Sequence, residues 1–375
     1  MHLLFHRYTP WQRHIRCSTN IYAEKAIENG VDVSYMSGIT NPLKLARNRK
    51  IEKINFRKSA YNFTPFTLIP FTKGAPFNHQ VFADLSYTSF LPSISSILDK
   101  GYGDPDVIWT VPPGSSGLQK NFSNVPLIMQ VVDYYPAFLG EGIKKIEKKD
   151  YSRADHIFTI GGAMSAYLIN DLKVNPNKIT SLGQGVDIEK YKKEYSIPND
   201  IAELPDPIAI WVGVVNKGDQ PMFEKVAAHM DKIGGSFVII GPETEWARSM
   251  AARFENCKCL GPKMSDEIPA YLLNSDIGIM LYNRNKLAIY KGQHPLKLYE
   301  YAAAGLSIIS THHEEYNYLD KPPLYVINNE NEVDDSIDWA LANRNEKKQN
   351  AIAFAEKHTW DNAFDKALSI INKIK

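Results

Sequence analysis

Short apolar runs of strand length alternate with stretches of helical length along this chain, and the series runs twice. In the first half, Leu3–Phe5, Val31–Met36, Val107–Thr110, Leu127–Val132, His156–Ile160 and Lys178–Leu182 are candidate strands. Stretches near 16–29, 90–100, 142–152 and 163–173 have helical length and pattern. The alternation predicts parallel βαβ units with both faces of a sheet covered. After Tyr191 the pattern resets. Lys192–Pro207 is polar, carries Pro198, Pro205 and Pro207, and reads as a linker. A second series follows: Ile208–Val214, Phe237–Ile240, Cys257–Leu260, Ile277–Leu281, Ser307–Ser310 and Leu324–Val326. The expected class is α/β, with two consecutive open sheets and a cleft between them. Ligands of such sheets lie beyond the carboxyl ends of the strands.

The totals fit this reading and exclude others. A chain of 375 residues is long enough for two domains with sizeable cores. Lys+Arg 43 against Asp+Glu 42 leaves a formal charge of +1, which argues against a general nucleic-acid binder. Three cysteines, Cys17, Cys257 and Cys259, make no disulfide framework and fit a reducing compartment. No apolar run approaches the ~20 residues of a membrane helix. Met1–Phe5 is too short for a signal peptide, so a cytoplasmic protein is expected.

The most telling stretch is His294–Ser310, which reads as loop, helix, glycine stop and buried strand. Pro295 suits a first helical position, and Gly305 a left-handed C-cap. A lysine at 297, near a helix N-terminus, is electrostatically odd unless helix and lysine hold one anion together. Glu300 lies three residues on and shares a face with Lys297. A cation for phosphate and a carboxylate for ribose hydroxyls suit a nucleotide diphosphate; a surface Lys–Glu pair is the plain alternative.

Other candidates follow strands. Asp133 stands just past an apolar run, where it serves as a general base or caps the next turn. Gly213 follows the first strand of the second series and permits close backbone approach, with Lys217 adding a phosphate-seeking charge. Lys263, in Gly261-Pro262-Lys263-Met264, lines a base pocket or a plain turn. Tyr282 ends a strand just before the 294–310 motif and is expected over the same pocket. Asp104-Pro105-Asp106 has the Asp-x-Asp spacing of metal-dependent sugar transferases, but Pro105 and the following Val107-Ile108-Trp109 favour a turn, and nothing else resembles a divalent-metal cage. Arg7 and Arg13 belong to a basic, aromatic segment after the first strand. Lys44, Arg47, Arg49, Lys50, Lys53, Arg57 and Lys58 cluster ahead of Phe63, Phe66 and Phe71. That pattern suits an anionic membrane surface or a solvated loop followed by core strands.

On these residues the chain resembles the GT-B glycosyltransferases over nearly its whole length. The likeness is carried by the Gly213 loop, Phe237-Val238-Ile239-Ile240-Gly241, the Pro-Leu-Lys-Leu-Tyr-Glu-Tyr run at 295–301, Phe354–Trp360 and Ser181–Asp187. In overall pattern it is most similar to the bacterial xanthan-type glucuronosyltransferases. The resemblance implies a GT-B fold of two Rossmann-like domains. Residues 1–190 would form the acceptor domain, with a helix at 361–375 crossing back onto it, and 206–360 the nucleotide-sugar domain. It implies a UDP-sugar donor, with glucuronate a candidate sugar, and a lipid-linked or polysaccharide acceptor. Asp133 would be the catalytic base. Gly213, Lys217, Lys263, Tyr282, Leu296, Lys297 and Glu300 would bind the donor, and Arg7 and Arg13 the acceptor. No metal or other cofactor is expected, and the chain would act peripherally at the inner membrane face. Retaining families of this fold carry Glu-x7-Glu, but Gly292 stands eight residues before Glu300. Inversion is therefore favoured over retention. A nucleotide-sugar epimerase and a non-catalytic glycan-binding member are the rival readings.

Overall fold

The computed structural model describes residues 1–11, 17–45, 55–57, 60–71, 78–286, 290 and 292–375. The chain divides into two compact units, Met1–Gly183 with Trp360–Lys375, and Gln184–Thr359.

The first unit is built on the strands β1 (His2–Arg7), β2 (Asp32–Ser37), β3 (Asn55–Arg57), β4 (Ala60–Phe63), β5 (Val107–Thr110), β6 (Leu127–Val131), β7 (His156–Thr159) and β8 (Ile179–Ser181). They form one sheet in the order β3-β4-β2-β1-β5-β6-β7-β8. All neighbours are parallel except β3, which runs antiparallel on the edge of β4. β5 and β6 are buried from end to end, and β1 is buried up to Arg7, because helices cover both faces. The strand order reverses between β1 and β5, so the segments after those strands splay apart and leave room for a ligand.

Helix Trp360–Ile374 belongs to this unit although it follows the second unit in sequence. Its apolar face is buried, with Trp360 packing edge-on against Tyr22. Asp361 pairs with Lys25 at 2.8 Å, and Lys366 donates to the Ser181 carbonyl. Asp106, read as part of a turn, accepts the His2 backbone N–H and pairs with Lys375, so the Asp-x-Asp segment acts structurally.

The second unit holds β9 (Ile208–Val212), β10 (Ser236–Ile240), β11 (Cys257–Cys259), β12 (Ile277–Met280), β13 (Ser307–Thr311) and β14 (Leu324–Ile327). Their order is β11-β10-β9-β12-β13-β14, all parallel. This is the doubly wound nucleotide-binding order, with its switch point between β9 and β12. Helix Leu296–Ala303 buries Leu298, Tyr299, Tyr301, Ala302 and Ala303. It ends in a Schellman turn: Leu306 N–H bonds the Tyr301 carbonyl and Gly305 N–H bonds that of Ala302. Gly305 takes the positive φ of 75° that this turn requires.

Three expectations are corrected. Residues 192–207 are no free linker: they lie in the second unit, Ile201 is buried in its core, and the Pro205 and Pro207 carbonyls accept hydrogen bonds from Ser236. Phe63 is fully buried on β4 and cannot insert into a membrane, because β4 pairs with β2 inside the sheet. Exposed apolar side chains of this unit stand instead at Leu43, Leu68, Val81, Leu85 and Leu91. Of the basic cluster, Arg47, Arg49, Lys50, Lys53 and Lys58 lie outside the described residues; Lys44 is in the short helix Pro42–Leu45 and Arg57 on β3. Pro295 is the N-cap of its helix, not its first residue, because ψ of 121° keeps it extended.

Tyr301 docks its helix onto the sheet. Its hydroxyl accepts the Val212 N–H at 2.9 Å, and its ring fills the space above Gly278 on β12, where a Cβ would stand 2.4 Å from ring carbon. Gly278→Ala is expected to lower the stability of the second unit by about 1–3 kcal/mol through overpacking. Chemical denaturation would read this as a lower midpoint, and a wild-type midpoint would show that the ring is not held there.

Candidate active site

In the second unit the site is assembled at the β9/β12 switch point. Lys297 reaches back from the first turn of its helix to the ends of both strands. Its Nζ donates to the Tyr282 hydroxyl at 3.1 Å, just past β12, and lies 4.5 Å from the ring centre of Trp211 on β9 and 5.1 Å from that of Tyr282. The two rings meet edge to face at 5.3 Å. Burial among these groups pulls the ammonium pKa down to about 8, and the Glu300 carboxylate opposes the fall. Cation–π attraction to the rings, about 0.5–2 kcal/mol, returns part of the desolvation cost.

Gly213 is what lets the lysine in. A Cβ there would stand 2.7 Å from Nζ, and the residue has φ of 135°. Gly241, at the end of β10, is matched to it: a Cβ at 241 would lie 1.9 Å from the Gly213 carbonyl oxygen. The glycine after β9 therefore makes room for a side chain of the site, where the sequence predicted room for the ligand itself.

Lys217 is exposed on the same loop. Its carbonyl accepts Asn283 N–H and the Tyr290 hydroxyl, which ties the β9 loop to the β12 end. Leu296 and Glu300 lie on the half-exposed face of the helix. No side chain caps its start, and an uncapped helix N-terminus is a place where backbone N–H groups can meet an anion. Burial raises the Glu300 pKa against the pull of Lys297 and then Lys190, and the carboxylate has no hydrogen-bond partner among the described residues. A ribose diol is a fitting donor to such a group. Lys263, by contrast, is engaged: its ammonium binds Asp200 at 2.6 Å, and that hydrogen bond raises its pKa. The structure thus brings Gly213, Tyr282, Lys297 and Glu300 into one place and leaves Lys263 to an ion pair.

Sequence reading missed Trp211 and His313. Trp211 looks like any apolar strand residue, and only the fold puts its ring under an ammonium. His313, just beyond β13, is 3 % exposed and packs edge-on to Tyr282. Burial, then the Lys297 charge, lowers its pKa to about 3. Its ring nitrogens have no hydrogen-bond partner among the described residues. No signal in the local sequence marks it.

The first unit carries its own cavity of about 1470 Å³, at the β1/β5 switch point. Asp133, two residues past β6, lines it together with Arg7 from the end of β1. Arg7 donates to the hydroxyls of Thr9 and Thr19. Tyr135, not Asp133, occupies the cap position of the following short helix Pro136–Leu139. The Tyr135 hydroxyl donates to the Val111 carbonyl, and burial, then the Asp133 charge, raises its pKa. Leu43, Phe138, Leu139, Ile143 and Ile146 make an apolar wall. Arg13 lies outside the described residues. Among the described residues no group of three His, Cys, Asp or Glu side chains is placed to hold a metal ion.

Comparison with known proteins bears on the fold. No family model matches the chain. Over 240 residues it is 25% identical to the putative teichuronic acid biosynthesis glycosyltransferase TuaH of Bacillus subtilis (strain 168). That match spans 60% of this chain and 59% of the relative, less than two thirds of its length. Among solved structures, a glycosyltransferase from Rickettsia africae ESF-5 superposes with a TM-score of 0.70 at 14% identity, covering 100% of this chain and 98% of that one. HepE of Anabaena, in complex with UDP and glucose, gives 0.69 at 12% identity with full coverage of both. Sucrose-phosphate synthase from Thermosynechococcus elongatus gives 0.69 at 12%, covering 100% of this chain and 98% of that one. The chain thus has the GT-B fold. TuaH is described as a putative glycosyltransferase, the Rickettsia africae protein is a glycosyltransferase, and HepE is seen with UDP and glucose.

The lowered pKa of Lys297 sets a pH dependence for anion binding. A bound diphosphate favours the ammonium, so its affinity is full below the free-state pKa and falls as pH rises through it. Isothermal titration of UDP across pH 6–10 is expected to show affinity dropping above about 8, by up to roughly tenfold per pH unit. A flat profile would remove Lys297 from the anion site.

Proposed function

We propose that this protein is a glycosyltransferase that moves a sugar from a UDP-sugar to a glycan acceptor, with inversion and without a metal ion. The observation that carries the reading is Lys297, boxed by Trp211 and Tyr282 at a helix start on the nucleotide-binding switch point, with the unbonded Glu300 carboxylate one turn on. That set matches a nucleoside diphosphate: phosphate on the ammonium and helix N-terminus, ribose on the carboxylate. The UDP held by HepE supports the choice of nucleotide.

In this reading the second unit holds the donor through Gly213, Lys217, Tyr282, Leu296, Lys297 and Glu300. As the glycosidic bond to the diphosphate breaks, negative charge grows on the leaving oxygen, and Lys297 with the helix N-terminus stabilises it. That cationic stabilisation takes the part a divalent metal plays elsewhere. The acceptor occupies the first unit's cavity, where Arg7 binds it and Asp133 takes the proton of the attacking hydroxyl; Arg13 stays an acceptor-binding candidate from the sequence. The apolar wall of that cavity supports a lipid-linked acceptor over a free polysaccharide. The exposed Leu43, Leu68, Val81, Leu85 and Leu91, with the basic cluster at 44–58 in the same unit, support peripheral association with the cytoplasmic membrane face. No helix among the described residues is long and apolar enough to cross a membrane. The transferred sugar in this reading is a hexose or hexuronate.

A thermal-shift panel of nucleotide sugars tests the donor. UDP and one UDP-sugar are expected to raise the melting temperature by mass action, and a panel without any shift would refute the assignment. Lys297→Ala is expected to cost about 2–4 kcal/mol of transition-state stabilisation in kcat/KM, while Glu300→Ala acts chiefly on nucleotide affinity. Asp133→Asn is expected to bind donor normally and lose turnover by about a hundredfold or more. Full turnover in that variant would return Asp133 to a structural role. Product NMR should show an inverted anomeric centre, and EDTA should leave the rate unchanged.

A further inference from the structure

Arg284 is the cation that sits closest in sequence to Tyr282, and all three of its guanidinium nitrogens are already taken. Nε donates to Asp219 Oδ2 at 3.1 Å, one terminal nitrogen to Glu330 at 2.8 Å, and the other to the Asn328 carbonyl at 3.2 Å. Its backbone N–H donates to the same Asp219 oxygen at 3.2 Å. Asp219 is only 4 % exposed, and its other oxygen caps helix Gln220–Lys232 through Met222 N–H. One buried carboxylate thus anchors a helix start and an arginine from a different loop.

We infer that Arg284 is a positioning residue of the donor site, holding the Lys217 loop and the Tyr282 strand end in register so that the phosphate-binding groups converge. The inference rests on the donor reading above. The two segments are also linked along their backbones, where Gly218 and Tyr282 form an isolated antiparallel bridge, Asp219 N–H bonds the Leu281 carbonyl and Asn283 N–H bonds that of Lys217, and by the side chains of Tyr290 and Lys286, which donate to the Lys217 and Asn216 carbonyls; Arg284 adds the buried ion pair. Tyr282 in turn accepts from Lys297, so the placement of the loop pair sets the phosphate contacts. Removing the guanidinium leaves a buried carboxylate without its cation. Such a group recruits water or moves, and the loops move with it. An ion pair on the open surface would have no such leverage. The planar fork matters too, because it presents separate N–H groups to Asp219 and Glu330 in a fixed geometry, where a lysine offers a point charge.

The test measures UDP affinity by isothermal titration at a temperature where each variant is folded, together with melting temperature and the split between KM and kcat. Arg284→Gln is expected to weaken UDP binding about tenfold or more, since displacement of about 1 Å from the productive geometry is costly. Donor KM should rise while kcat at saturating donor changes less. Arg284→Lys should recover part of the affinity. Asp219→Asn keeps the helix cap, because Asn caps as well as Asp, and loses the ion pair, so it decides the matter if Arg284→Gln does not fold. That variant should bind UDP about threefold or more weakly. A lowered melting temperature with UDP affinity within about twofold of wild type, in whichever variant folds, would overturn the positioning role. Failure of the wild-type chain to bind UDP would instead overturn the donor reading itself.

Discussion

The contact on which the second unit's site depends is an ammonium pressed against two aromatic rings. Holding Lys297 there carries a cost for the empty protein. The charge is desolvated, its proton is loosened, and two glycines must give up their side chains to make the space. Rings of Trp211 and Tyr282 return part of that cost and fix the ammonium in a single place. On the proposed donor reading, an arriving diphosphate would supply the missing counter-charge without waiting for the lysine to reorganise, which is the condition under which electrostatic stabilisation is most effective. The surrounding backbone is arranged to keep this state: Gly241 backs Gly213, Tyr301 fastens the helix to β9 and β12, and the Schellman turn ends the helix cleanly.

The two units use the same geometric device with different chemistry. Each sheet has a switch point beside its first strand, and each presents candidate residues at or just past the ends of the strands that flank it. In the second unit those positions carry Gly213 and Tyr282. In the first they carry Arg7 and the Val111–Pro113 segment, with Asp133 one strand further along. A shared topology explains where the residues are, and their identities carry the proposed division into a diphosphate site in one unit and an acceptor cavity in the other.

Much of this was legible in the sequence because hydrophobic period and punctuation are local. The twelve apolar runs all became strands, displaced by a residue or two, and Gly305 ended its helix as a positive-φ residue should. Lys297 and Glu300 were legible because a cation at a helix start is anomalous on its own terms. Strands β3 and β4 were harder to see: a basic stretch masked the short pairing segments, and aromatic residues that looked available for a membrane, Phe63 above all, are core. The partner of Lys263, Asp200, was not legible because it comes from a segment that reads as linker. Trp211, His313 and the Asp219–Arg284 pair depend on contacts between loops far apart in the chain, which no local pattern encodes.

One feature of the chain path has a bearing on how the molecule comes into being. The first unit is discontinuous, since helix Trp360–Ile374 covers a face built by residues before Gly183. On a ribosome the opening sheet would emerge first yet keep the surface around Tyr22 uncovered until residues 360–374 were made. The second unit, wholly contained in Gln184–Thr359, can close before that happens. Synthesis order and completion order are therefore reversed, and the half-finished first unit must remain soluble with an apolar face exposed while the rest is translated.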